Sequence, residues 1–283
     1  MIRYTFVSLG KFESLGFRLG GAGLGNILFP WARSIVYARK NKLQRIQTTW
    51  FNLKLGPIIR KERDTRMYFN LFTGNDGISG FRKFFLLNFT RDVKFFNGMG
   101  NLFETFKNDH VFIKNELLKI INPYHIMKVD SYDANSIAVH IRMGDFQKPK
   151  NEIVLRSHHW NYRLPLRWYV KIIDKLRDIS NLPIYIYSDA SDAELKEILE
   201  LDNCYRVNIG SSISDMLAIS NSKLLVASAS TFSMWASFLG QIPTIWFPGQ
   251  MRQRIINDPN IFEGEIDYHD KLDDKLIKSL KND

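Results

Sequence analysis

His140, Arg142 and Asp145 fall within the six residues His140-Ile141-Arg142-Met143-Gly144-Asp145. The run Ser136–Ile141 leads into them and reads as a buried strand. An arginine presents a rigid fork of donors suited to two oxygens of a phosphate, and Gly144 lets the backbone turn closely. An Arg142–Asp145 ion pair that only pins the loop would explain the same residues. A second group lies in "SASTFSMW", where Ser228, Ser230, Thr231 and Ser233 crowd a strand-to-helix junction. Helix N-terminal N–H groups flanked by hydroxyls bind anions. Four hydroxyls in six residues exceed what one helix cap requires. Asp189 ends "IYIYSD" and Asp215 opens "SDMLAIS". Each could accept hydrogen bonds from a nucleotide base or ribose, or serve as an ordinary helix cap or first-turn acid.

The elements that must position these residues alternate through the second half. "SIAVHI", "LPIYIYSD", "NCYRVNI", "KLLVASAS" and "IPTIWF" read as strands. Between them, helical periodicity begins at Pro165, with Leu166, Val170, Ile173 and Leu176 on one face, and recurs in "SISDMLAISN" and in "TFSMWASFLG", which Gly240 closes. Ser191 with Glu194 has the spacing of a capping box for a helix running to Leu199. Short strands alternating with helices indicate an α/β fold with a parallel sheet. In such sheets ligands bind beyond the carboxyl ends of the strands, where Arg142 and Asp145 lie.

The first half opens with a strand, Ile2–Val7. Next come "LGGAGLGN", a helix from Ile27 to about Lys40 with Leu28, Trp31, Ile35 and Ala38 on one face, and a strand in "LQRIQTTWF". Gly20, Gly21, Gly23 and Gly25 do not complete a G-x-G-x-x-G fingerprint, because Asn26 stands where its last glycine would be. The segment is expected to be a flexible loop whose backbone can approach a ligand. Between Asn52 and Lys128 periodicity is weak. Phe69, Phe72, Phe81, Phe84, Phe85, Phe89, Phe95 and Phe96 suggest a packed but irregular region. A domain boundary is placed near Asp130–Asn135, giving domains 1–133 and 134–283, with the C-terminal helix able to pack back on the first.

Composition bounds the function. The 283 residues are 45% hydrophobic and 24% charged, which suits a globular protein with a sizeable core. No apolar run reaches the roughly 18 residues that span a bilayer, and the N-terminus reads as a strand rather than a signal peptide. The single cysteine, Cys204, permits neither an internal disulfide nor a thiolate zinc site, and favours a cytoplasmic setting. The net charge of +10 fits a phosphorylated ligand, an anionic membrane surface or nucleic acid. The chain lacks a basic recognition helix, a zinc finger and an RNP-type strand, so nucleic acid ranks below the other two. No Asp-x-Asp pair is present to hold a metal on a diphosphate.

The motif His140-Ile141-Arg142-Met143-Gly144-Asp145 resembles the His-x-Arg-Arg-x-Asp motif of GDP-fucose-dependent α-1,2-fucosyltransferases. "GGAGLGNILFPWA", "YIYSDAS" and "SDMLAISNSKLLVASASTFSMWASFLG" follow in that family's order. The resemblance covers Gly20 to about Ala38 and Ile137–Pro248. It implies a GT-B fold, with two Rossmann-like domains facing across a cleft, and metal-independent, inverting transfer from a GDP-sugar bound by the C-terminal domain. By position, Arg142 would hold the diphosphate, and His140 and Asp215 would contact guanine. Ser230, Thr231, Phe232 and Ser233 would wrap phosphate and base, and Asp189 would shape the pocket. Gly23, Gly25 and Asn26 would face the donor from the other domain. The family's second arginine is Met143 here, and its Gly-Asn-Gln is Gly25-Asn26-Ile27, which leaves another GDP-deoxysugar such as GDP-colitose open beside GDP-fucose.

The expected reaction builds negative charge on a departing diphosphate, which Arg142, helix-end N–H groups and hydroxyls would offset. Asp145 and Glu152, on the loop after Arg142, are the candidate bases for the acceptor hydroxyl. The acceptor is expected to be a growing surface glycan such as O-antigen or capsule. It could be lipid-linked, with the enzyme resting peripherally on the inner membrane face.

Overall fold

Short parallel strands, each followed by a connecting segment, build both halves of the chain. The computed structural model describes residues 2–53, 68 and 70–281; Phe69 lies outside them. Two compact units divide between Ile126 and Met127.

In the first unit, β1 (Tyr4–Val7) lies between β2 (Gln44–Arg45) and β3 (Val93–Phe96), and both pairings are parallel. The strand expected over Leu43–Phe51 contracts to the two residues of β2. Helix α1 (Leu24–Asn41) buries Leu28, Trp31, Ile35 and Ala38, the face that the periodicity indicates. It starts three residues before Ile27, so Gly25 and Asn26 form its first turn and not a loop. Gly23, with extended backbone, precedes the helix. A second helix, α2 (Gly80–Phe89), lies between β2 and β3. This part of the phenylalanine-rich region is therefore regular, and Phe81, Phe85, Phe89 and Phe95 are exposed rather than packed. Helices α3 (His110–Ile120) and α4 (Pro123–Val129) lead to the second unit.

The second unit holds a six-stranded, all-parallel sheet: β4 (Ile137–Ile141), β5 (Ile184–Ser188), β6 (Cys204–Val207), β7 (Leu224–Val226), β8 (Thr244–Trp246) and β9 (Glu263–Glu265), in spatial order β6-β5-β4-β7-β8-β9. Numbered from β4, that order is 3-2-1-4-5-6, the doubly wound arrangement. Its strand order reverses between β4 and β7, and sheets of this order bind ligands in the crevice at that point. Every residue of β4 is buried, as a central strand covered on both faces must be. After the short α5 (Glu152–Arg156), helix α6 (Leu166–Arg177) buries Trp168, Tyr169, Ile172, Ile173 and Leu176. This face is rotated from the expected one, because two aromatic side chains occupy the core and Leu166 and Val170 are only partly covered. Burying each large apolar side chain stabilises the fold by about 1.5–3 kcal/mol.

The Ser191–Glu194 capping box forms reciprocally, with Ser191 N donating to Glu194 Oε2 at 2.9 Å and Glu194 N to Ser191 Oγ at 3.3 Å. The helix proper, α7, is only Lys196–Leu199. Helices α8 (Ser212–Asn221) and α9 (Thr231–Gly240) pack on each other. Gly240 is the last residue of α9 rather than its stop, and Gln241 takes the left-handed turn. Glycine is required at 240 because a Cβ would lie 2.2 Å from the carbonyl oxygen of Ser220. Helix α10 (Asp274–Lys281) buries Leu276 and Leu280 in the core of this same unit, with Ile266 and Phe247. Cys204 is buried.

Candidate active site

The reversal point puts two chain segments side by side: the exit from β4 and the exit from β7. From β4 the chain enters the loop Arg142–Phe146. Arg142 Nη1 lies 2.7 Å from Asp189 Oδ2, and its Nη2 donates to Asp145 Oδ1 at 2.6 Å. The Arg142–Asp145 pair that could pin the loop is therefore present. Asp189 is no helix cap: its Oδ1 accepts the Met143 N–H at 2.7 Å, so one carboxylate at the exit of β5 holds both the side chain and the backbone that leave β4. Gly144 makes this approach possible, since a Cβ there would lie 2.2 Å from Asp189 Oδ2. Arg163, which the sequence reading did not single out, donates to the carbonyls of Phe146 at 3.0 Å and Gly144 at 3.2 Å and fixes the far side of the loop. One guanidinium between two carboxylates carries a net charge of about −1, so Arg142 alone does not make this lip cationic.

From β7 the chain passes through Ser228, Ala229 and Ser230 into α9. Ser230 Oγ caps the helix by accepting the Ser233 N–H at 3.3 Å. Three of the four hydroxyls here turn inward. Ser228 Oγ lies 2.9 Å from Ser230 Oγ and 3.0 Å from Ser233 Oγ, and all three residues are buried. His140 Nδ1 sits 2.7 Å from Ser233 Oγ and 3.0 Å from Ser228 Oγ, which ties the end of β4 to the start of α9. Burial pushes the His140 imidazole down to about 3, with smaller, opposed influences from Asp189 and Arg142. The ring is neutral at ordinary pH and serves as a hydrogen-bonding pin, not a cation. The Phe232 ring lies 4.9 Å from it, tilted by 38°, and Thr231 and Phe232 are the partly exposed residues of this turn.

Asp215, in the first turn of α8, accepts the Ile209 N–H at 3.1 Å and so fixes the loop leaving β6. Glu152 belongs to a separate network: Arg167 and Tyr268 donate to its Oε1, the latter at 2.8 Å, beside the Arg156–Asp267 ion pair. Its carboxylate is committed to joining α5, α6 and the segment after β9, whereas Asp145 sits on Arg142. Gly23, Gly25 and Asn26 lie at the start of α1 in the first unit, and the Asn26 N–H donates to the Gly23 carbonyl at 3.0 Å.

One cation the sequence reading missed stands beside these groups. Arg252, on the loop leaving β8, reaches the Ala229 carbonyl at a long 3.5 Å and lies 4.6 Å from the centre of the Trp160 ring. Burial pulls its guanidinium down to about 10. The available signal was position: "MRQR" follows a strand by a few residues, on the side of the sheet where ligands bind. Among the described residues, no three His, Cys, Asp or Glu side chains gather as a metal site would require.

Comparison with known proteins places this geometry. Residues 34–248 match the glycosyl transferase family 11 profile. No curated protein matches in sequence. Of the solved structures, that of NodZ alpha-1,6-fucosyltransferase soaked with GDP-fucose is similar over 87% of this chain and 95% of its own, at 12% identity and a TM-score of 0.51. Fucosyltransferase NodZ from Bradyrhizobium aligns over 88% and 97% at 13% identity, with a TM-score of 0.46. The α/β architecture is accordingly of the GT-B class, and with more than half of its length matched, the chain belongs to glycosyl transferase family 11 and is a glycosyltransferase.

Proposed function

We propose that the protein transfers L-fucose from GDP-fucose to a glycan hydroxyl, inverting the anomeric centre and using no metal. The observation that carries this reading is the reversal point itself. There a neutral, hydrogen-bonded floor of His140, Ser228, Ser230 and Ser233 is accompanied by two guanidinium groups, Arg142, two residues after His140, and Arg252, on the Ala229 carbonyl. A departing diphosphate needs positive charge and N–H donors aimed at it. Arg142 brings one positive charge already shared with two carboxylates. Arg252 adds a second that is shared with a carbonyl and an indole face, and the start of α9 adds backbone N–H groups. Phe232 and Asp215 are assigned to the guanine. In this reading Asp145, rather than Glu152, takes the acceptor proton, because phosphate binding to Arg142 would release it while Glu152 stays tied to Arg167 and Tyr268. The identity of the sugar is supported by the family and by the order of the motifs. The α-1,2 linkage and a surface-polysaccharide acceptor rest on the motifs alone.

A donor panel tests this. Slow hydrolysis should be greatest for GDP-fucose and should persist in EDTA. Preference for a uridine-based donor, or a strict need for a divalent ion, would overturn it. Calorimetry on Arg252→Met should show weaker binding of GDP with binding of guanosine unchanged, and Arg252→Lys should recover part of the loss.

A further inference from the structure

Helix α2 (Gly80–Phe89) is apolar on two sides. One side packs inward through Leu86, which joins Tyr4, Phe6, Ile46 and Val93 in the core of the first unit. The other carries Phe81, Phe85 and Phe89, spaced four residues apart along one stripe and 82%, 49% and 68% exposed. The rings touch one another: Phe84 lies 6.3 Å from Phe81 and 6.1 Å from Phe89, and Phe85 lies 5.5 Å from Phe89. The turn Glu13–Leu15 packs against the same helix, and Phe12 and Leu15 are exposed there. Single exposed apolar side chains are ordinary, but a row of phenylalanines on one helix marks a contact surface.

The charge around this face has one sign. Lys11, Arg82 and Arg91 are exposed, whereas Lys94 turns to the other face of the sheet, over the Tyr37 ring of α1. The acids of the same segments are withdrawn: Glu13 and Asp76 are buried, and Asp92 is paired with Arg3. We propose that this face docks on an anionic lipid bilayer, with the phenylalanines in the interfacial layer and the cations against the headgroups. An aromatic stripe flanked by lysine and arginine binds in the plane of the interface, by apolar burial together with attraction to anionic lipid. Pairing with a second copy would set these cations against each other on a chain that already carries +10. Among the described residues no helix is long and apolar enough to cross a membrane, so attachment by this face is peripheral and reversible. The proposal rests on the surface of the first unit and holds whichever sugar nucleotide is the donor.

Co-sedimentation of the full chain with phosphatidylcholine vesicles, with and without phosphatidylglycerol, tests it. The protein should pellet with the anionic vesicles alone and be released by salt. Phe81→Ser/Phe85→Ser/Phe89→Ser should weaken partitioning by roughly tenfold or more. Lys11→Glu/Arg82→Glu, which leaves the phenylalanines in place, should weaken it as well, so the test survives poor folding of the first variant. Pelleting of both variants equal to that of the unaltered protein, or indifference of the unaltered protein to phosphatidylglycerol, overturns the proposal. So does a dimer in sedimentation velocity that the serine substitutions dissolve, which would assign the face to a second copy.

Discussion

The loop leaving β1 in the first unit and the turns leaving β4 and β7 in the second occupy equivalent places, beyond the carboxyl ends of parallel strands. They bury opposite chemistry. The first unit buries ions: Glu13, Arg18, Asp76 and Lys83. Glu13 accepts the Leu9 N–H at 2.8 Å, Asp76 accepts from Thr48 Oγ1 at 3.0 Å, and Lys83 donates to the Gln47 carbonyl at 2.8 Å. Burial raises both carboxylic acids and draws Lys83 down to about 8. At its reversal point the second unit buries hydroxyls and a neutral imidazole and keeps Arg142, Asp145, Asp189 and Arg252 exposed or partly exposed; its buried Glu263 belongs to β9, at the edge of the sheet. Desolvating a charge costs several kcal/mol even when it is paired, whereas a satisfied hydroxyl network costs little. The second unit thus joins these two strand exits with neutral groups and keeps its charges toward the surface. In the first unit, charge pins loops.

Four measurements can break or sharpen that contrast. Arg142→Ala should lower turnover by about 10²–10³-fold with little change in melting temperature; near-normal turnover would make the exposed charges as structural as the buried ones. Gly144→Ala should cost about 10–100-fold in kcat/KM, because the new Cβ displaces the Asp189 carboxylate that holds Arg142. An unchanged kcat/KM would show the loop to be more yielding than its contacts suggest.

His140→Asn tests the neutral floor. The unfolded imidazole titrates near 6.5 and the folded one near 3, so between those values the unfolded chain binds more protons and stability is lost as pH falls. Denaturant titrations should show the unaltered protein losing up to about 1.4 kcal/mol per pH unit in that window beyond what the variant loses. Equal slopes would mean that the ring is charged in the fold. The smallest effect belongs to Lys83→Met. Its folded value near 8 lies below the unfolded 10.5, so this residue makes stability rise with pH between the two, and the variant should lack that rise while keeping its turnover. A loss of turnover would move Lys83 from scaffold to function.

The alternation of strands and helices in the second half was legible because it is local: caps and apolar spacing write it within a few residues, and β4, β5, α8 and α9 fall where they were expected. Strand β9 was not foreseen. "EGE" carries no apolar signal, and its Glu263 is buried only because it accepts the N–H groups of Ile255 and Ile256. The site divides in the same way. Arg142 and Asp145 lie three residues apart, so their pairing could be read directly from the chain.

By itself the sequence determined the fold class, the charged exit of β4 and the capped start of α9, because each depends on neighbours along the chain. Only the tertiary structure decided that His140 binds serines about ninety residues away, that Asp189 grips Arg142, that Arg252 joins them, and that Phe81, Phe85 and Phe89 stay outside. The physical reason is that strand pairing and burial arise from contacts between distant segments. An apolar residue has the same identity whether the fold encloses it or leaves it facing outward.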